Sequence, residues 1–172
     1  MSTSQSGTIA ETFRHSPEVT AAIDAVIIRL EADQSAIDGA RPATKEGAET
    51  LQGWLARSAE ARGKGALYPY VGSGIGKGPL VELVDGSVKW DMINGIGVNM
   101  FGHGDPGMVR AALESALGDV VMEGNLQYNS KSIELAEFLS QEAAKGSRIR
   151  HCFTTNSGAM ANESALKVCQ QK

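Results

Sequence analysis

The residues best suited to chemistry are Thr154-Thr155-Asn156-Ser157-Gly158-Ala159-Met160-Ala161-Asn162-Glu163, where a β-rich run passes through small residues into a helical pattern. The first N–H groups of a helix have no intrahelical acceptor, and the helix dipole adds partial positive charge there. A phosphate can therefore be held mainly by main chain. Gly158 lets the backbone come close to a ligand, Ala159 adds no bulk, and Ser157 offers a hydroxyl. The same residues also suit an ordinary serine-capped helix. Physics alone leaves both readings open.

A second glycine cluster invites a similar reading. Gly72, Gly74, Gly76 and Gly78 fall on alternate positions after Tyr68-Pro69-Tyr70. The dinucleotide fingerprint needs its third glycine where Lys77 stands, and the mononucleotide loop needs a glycine five residues before Gly-Lys-Ser/Thr. Lys77 breaks the first pattern and Val71 and Gly78 the second, so residues 65 to 78 are expected to form an irregular, flexible linker. A nucleotide site there is the lowest-ranked alternative.

His15, His103 and His151 are widely separated and show no i, i+4 or HExxH spacing, so no metal site is expected. His103, between Gly102 and Gly104, is expected to pack or hydrogen-bond locally, and His151 to sit in a core or at a sheet edge. Cys152 and Cys169 have no second pair at metal spacing, and both are expected to be reduced and buried. Lys167, well inside the last helix, is expected to be a solvated or salt-bridged surface lysine.

The elements that would position these groups are marked by local signals. Ser16-Pro17-Glu18 opens a helix, and Val19, Ile23, Val26, Ile27 and Leu30 give it one apolar face to about residue 33. A second helix is expected from Thr44 to residue 62, with Ala48, Leu51, Trp54 and Leu55 as its apolar positions and Gly63 as its stop. Two strands, residues 80 to 84 and 88 to 93, flank the turn Asp85-Gly86-Ser87. Asp105 caps and Pro106 opens a helix through Val109, Ala112, Leu113 and Ala116.

A further helix begins at Ser130 or Ser132, buries Leu135, Phe138, Leu139 and Ala143, and ends at Gly146. Residues 148 to 155 then read as a short strand. The helix that follows is still in period at Lys172, without a cap. The sequence is therefore expected to be the front part of a longer protein. The alternation of helix, strand and glycine turn implies an α/β layer architecture.

Composition sets the outer bounds. With 42% hydrophobic and 21% charged residues among 172, the chain can bury a core and is not of the disordered class. Sixteen Lys and Arg against twenty Asp and Glu give a net charge of −4, which argues against nucleic-acid binding. There is no run of about 18 apolar residues, and the first thirteen residues have neither an apolar core nor a basic cluster. No membrane association is expected, and the expected location is cytoplasmic.

Two separated segments carry a family resemblance. Asn156-Ser157-Gly158-Ala159-Met160-Ala161-Asn162-Glu163-Ser164-Ala165-Leu166-Lys167 resembles the phosphate-binding segment of the class III, ornithine/4-aminobutyrate-type, pyridoxal phosphate aminotransferases. Upstream, Trp90-Asp91, Gly95-Ile96-Gly97-Val98-Asn99 and Gly102-His103-Gly104-Asp105-Pro106 resemble the segment leading to that family's Gly-His-x-x-Pro helix start. The resemblance spans roughly residues 79 to 172.

It implies the α/β architecture of pyridoxal phosphate transferases of fold type I and a homodimer. The activity implied is amino transfer from an amino acid or amine to a 2-oxo acid. By the same resemblance, Gly158 and Ala159 would hold the cofactor phosphate through backbone N–H groups, Ser157 would support them, and Asn162 would lie nearby. Tyr70, Gln127 and Tyr128 fall in segments that approach the active site in that family. Residues 1–65 would be a helical arm, 66–105 the glycine-rich linker and small-domain hairpin, and 106–172 the first part of the large cofactor domain with the start of its sheet.

Two departures matter. Met160 stands where the family usually has Glu, which removes an acid from the first helical turn. The Schiff-base lysine, the acid facing the pyridine nitrogen and the substrate-carboxylate arginine lie, in the family, beyond the stretch matched by this sequence. No catalytic residue is therefore assigned, and the 172-residue chain alone is not expected to transaminate. The alternative is a truncated, non-catalytic homologue acting through dimerisation or a binding partner.

Overall fold

A computed structural model describes residues 7–119 and 128–171. The chain divides into two compact units, Met1–Gly118 and Asp119–Lys172.

The first unit opens with α1 (Ile9–Arg14) and α2 (Pro17–Gln34). Thr8 and Glu11 close a reciprocal capping box on α1, and Ser16 caps α2 with Pro17 in its first turn. Ile23 and Ile27 are the buried members of the α2 stripe, whereas Val26 is half exposed. α3 (Lys45–Arg62) runs between Thr44 as cap and Gly63 in the left-handed conformation, φ 75°. Both boundaries are those the sequence implies.

Three strands, β1 (Gly72–Lys77), β2 (Leu80–Leu83) and β3 (Val88–Trp90), form one antiparallel sheet in the order β1-β2-β3. The β2–β3 hairpin forms as expected, with Leu83 N donating to Ser87 O and Gly86 N to Leu83 O across the Asp85-Gly86 turn. β3 stops at Trp90 instead of Ile93, however, because the Asp91 carboxylate takes the Ile93 and Asn94 amides into a turn.

β1 corrects the expected linker at residues 72 to 77. Its register slips between Gly72 and Gly76, where Gly74 takes φ 102°, so the glycines accommodate a bulge as well as the pairing to β2. Gly76 answers a second demand. A Cβ there would lie 2.6 Å from the His103 Cβ and 2.7 Å from the Leu80 carbonyl oxygen.

The core of this unit is Ile37, Leu80 and Val88, with Ile75 packed against it. Arg41 ties the helical arm to the sheet. Its backbone exchanges two 3.0 Å hydrogen bonds with Val88, and its Nη2 pairs with Glu82 Oε1 at 2.9 Å. After β3 comes α4 (Asn94–Gly97), a single turn in which all four residues have positive φ. Then α5 (Pro106–Ala116) starts where Asp105-Pro106 signals it, with Asp105 Oδ1 accepting from Met108 N at 2.9 Å. The Arg110 guanidinium of α5 pairs with Asp24 of α2.

The second unit contains α6 (Ser130–Ala144), capped by Asn129, and α7 (Gly158–Gln170), capped by Ser157. Neither buries a residue. The expected buried stripe of α6 is thus corrected: Leu135, Phe138 and Leu139 are exposed. Residues 148 to 155 are likewise not a strand, so the expected start of a second sheet is absent among the described residues. Apolar and β-branched residues favour extended backbone, but a strand exists only with a neighbour to pair with. His151 is exposed, Cys152 is partly buried and Cys169 is exposed, which corrects the expectation of a core or edge histidine and buried thiols. Both cysteines are free.

Candidate functional site

The Ser157 to Asn162 segment forms a helix start of the kind its sequence implies. Ser157 is extended (φ −161°, ψ 159°), and its Oγ accepts from Met160 N at 3.2 Å. Thr155 Oγ1 donates to Ser157 O at 3.1 Å, which steadies the approach to the helix. Gly158 and Ala159 occupy the first two helical positions, and among the described residues their N–H groups have no acceptor. No acid lies in the first turn, because Met160 occupies the third position.

A Cβ built on Gly158 meets nothing within 4 Å, so packing within the described chain does not demand glycine there. Asn162, four residues beyond Gly158, shares its helix face. Two free amides, a hydroxyl cap, open space over Gly158 and no carboxylate make a chemically suitable cradle for a phosphate. Lys167 is exposed and stands 3.9 Å from Glu163, as a surface lysine would.

In the first unit the upstream segment builds a compact polar cluster. His103 Nε2 lies 2.7 Å from Asp91 Oδ2, while Asp91 Oδ1 accepts from Ile93 N and Asn94 N at 2.9 Å each. The bond to His103, followed by those from the Asn94 and Ile93 amides, holds the Asp91 carboxyl below its ordinary pKa. The His103 backbone also exchanges hydrogen bonds with Gly78, at 2.8 and 3.1 Å. His103 therefore bonds locally, as its glycine-flanked setting implies. A cavity of about 370 Å³ opens beside it, lined in part by Glu31, Gln34, Lys77 and Asp105.

Sequence reasoning did not single out Gln34. It is 4% exposed, and its Nε2 donates to both Gly76 O and Gly104 O at 2.7 Å. Its only local signal is its place as the last residue of an amphipathic helix. Tyr70 and Tyr128 are exposed, and Gln127 lies outside the described residues. No group of three or more His, Cys, Asp and Glu suited to a metal ion occurs among the described residues. No described helix is long and apolar enough to cross a membrane.

Comparison with known proteins adds an independent line. Residues 73–172 match the profile of the family described as aminotransferase class-III. An acetylornithine aminotransferase of Caldanaerobacter subterraneus subsp. tengcongensis is 36% identical over 96 residues, covering 56% of this chain and 23% of that protein. One from Mycobacterium tuberculosis H37Rv is 37% identical over 102 residues, covering 58% and 24%. A probable mitochondrial acetylornithine aminotransferase of Schizosaccharomyces pombe is 33% identical over 109 residues, covering 62% and 24%. The matched part of the chain thus spans about a quarter of the length of these relatives. No solved structure matches significantly.

Proposed function

The chain belongs to the class III aminotransferase family, and from that premise we propose that it is the N-terminal part of a pyridoxal phosphate-dependent aminotransferase of fold type I. The whole protein would move an amino group from an amino acid or amine to a 2-oxo acid. It would act as a homodimer in the cytoplasm. Residues 106–172 are the first part of its cofactor domain. The observation that carries this reading is the start of α7, where Ser157 caps the helix and the Gly158 and Ala159 amides have no acceptor among the described residues.

In this reading the Gly158 and Ala159 N–H groups bind the cofactor phosphate, the Ser157 hydroxyl steadies the turn through Met160 N, and Asn162 flanks the site. Bound pyridoxal phosphate supplies the electron sink that amino transfer requires. The α7 dipole would offset the charge of the phosphate. None of these residues moves a proton. On this reading the 172-residue chain binds the phosphate without transaminating alone.

The test is to express the complete coding region alongside the 172-residue chain. Each is assayed for pyridoxal phosphate binding and for amino transfer to 2-oxoglutarate, with acetylornithine as the first donor because the matched relatives are so named. Cofactor binding by both and turnover by the complete protein alone is the expected result. Turnover by the short chain overturns its assignment as an inactive part. A complete protein that binds no cofactor overturns the whole reading.

A second reading rests on exposed apolar groups. Phe138, Leu166 and Val168 lie uncovered on α6 and α7, as a non-catalytic homologue acting through dimerisation or a partner would require. A complete protein that self-associates but neither binds cofactor nor turns over substrate would favour it.

A further inference from the structure

We propose that Gln34, in the helical arm outside the matched family segment, is a positioning residue that fixes the turn carrying His103 onto Asp91. The family match begins at residue 73, whereas Gln34 ends α2, yet its side chain is one of the most buried polar groups described. Both hydrogens of its amide are used, one on the carbonyl of β1 Gly76 and one on that of Gly104, each at 2.7 Å. Both carbonyls belong to residues that adjoin His103. Gly76 is packed so closely that a Cβ on it would stand 2.6 Å from the His103 Cβ, and Gly104 directly follows the histidine.

Gly104 has φ 63°, and a Cβ there would fall 2.2 Å from Gln34 Nε2. The turn is therefore shaped around the glutamine amide. The reciprocal bonds between His103 and Gly78 hold the backbone of the same turn as well. With both held, the imidazole is left in the orientation that places Nε2 at 2.7 Å from Asp91 Oδ2.

The donor set is specific. Glutamine carries two N–H donors on one nitrogen, glutamate carries none when ionised, methionine none at all, and asparagine is one methylene short. Loss of the amide leaves two inward-facing carbonyls without their donor, and the turn must then shift to find water. None of these contacts depends on the cofactor reading.

The full chain, labelled with ¹³C at the aspartate carboxyls, is titrated as wild type, Q34M, Q34E and H103Q. Wild type is expected to show an Asp91 midpoint below the ordinary aspartate value. In folded Q34M and Q34E the midpoint rises toward that of H103Q, because the histidine has left the carboxylate. A merely structural glutamine would lower the melting temperature and leave the Asp91 midpoint at its wild-type value, and that result overturns the proposal. Should neither Gln34 variant fold, the Gln34 side-chain amide is followed in wild type. Hydrogen exchange at least tenfold slower than that of an exposed glutamine supports the clamp, and exchange at the exposed rate overturns it.

Discussion

His103 Nε2 and Asp91 Oδ2 lie 2.7 Å apart, twelve residues distant in sequence, with the carboxylate also accepting two backbone N–H groups. A charged or hydrogen-bonding donor favours the ionised carboxylate, so the folded pKa of Asp91 lies below its unfolded value.

The sign of the pH effect follows. A group with a depressed folded pKa contributes stability that is complete above the unfolded value, near 3.9 for aspartate, and that disappears as pH falls through the lower folded value. Acidification below about pH 4 is therefore expected to loosen the Asp91–His103 turn, with the loss steepest between the unfolded and the lower folded value. Amide hydrogen exchange of Ile93 and Asn94 against pH measures it, since both amides rest on the Asp91 carboxylate. In H103Q the transition moves to higher pH. Protection of both amides that is flat between pH 5 and pH 2 contradicts the assignment.

Gly76→Ala is expected to be among the most damaging single-methyl changes in the first unit. The added Cβ would stand 2.6 Å from the His103 Cβ and 2.7 Å from a β2 carbonyl, and neither neighbour is the far end of a flexible side chain. Overpacking of this kind costs about 1–3 kcal/mol. Urea unfolding of G76A against G53A separates steric clash from a general glycine effect, because a Cβ at Gly53 meets nothing within 4 Å. Equal midpoints for the two variants contradict the clash.

Val88→Ala probes the small core directly. Val88 is 1% exposed and packs with Ile37 and Leu80, while its backbone carries both Arg41 bonds. Removing two methyl groups costs about 2 kcal/mol through lost burial and the cavity left behind. Because Ile37 belongs to the arm and Leu80 to the sheet, loss of protection at the Arg41 and Val88 amides is expected together with the lower urea midpoint. An unfolding free energy within about 0.5 kcal/mol of wild type, as for an ordinary surface change, places Val88 outside the core.

The elements legible in the sequence were those set by neighbours a few residues away. Ser16-Pro17, Thr44 with Gly63, Asp85-Gly86 and Asp105-Pro106 each fix backbone through bonds within one turn, and all four stand where the residue types place them. β1 was not legible, because alternate glycines show no apolar stripe and their reasons lie elsewhere, in the bulge opposite β2 and in His103. Residues 148 to 155 misled in the opposite direction: strand-forming side chains are present but no described strand pairs with them. At the candidate site, the serine cap was readable from Ser157 and the small residues after it. Gln34 was not, since its two acceptors lie 42 and 70 residues further along the chain.

The start of α7 offers the sharpest separation of folding from binding. A Cβ at Gly158 meets nothing within 4 Å, so Gly158→Ala is expected to leave α7 as stable as before or to raise its stability by up to about 1 kcal/mol. Met160→Glu is expected to stabilise the helix as well, because a glutamate three residues after Ser157 completes the reciprocal cap that Thr8 and Glu11 form on α1. The same carboxylate would place negative charge at the helix end that we assign to a phosphate, so the two effects oppose each other. Hydrogen exchange at the Ala161 amide and phosphorus NMR titration with pyridoxal phosphate, at low and high salt, measure them side by side. Met160→Glu is expected to give greater protection but several-fold weaker phosphate binding, with the difference shrinking as salt screens the added charge. If instead both variants bind phosphate as wild type does, the free amides of Gly158 and Ala159 are only the uncapped remainder of an ordinary helix start.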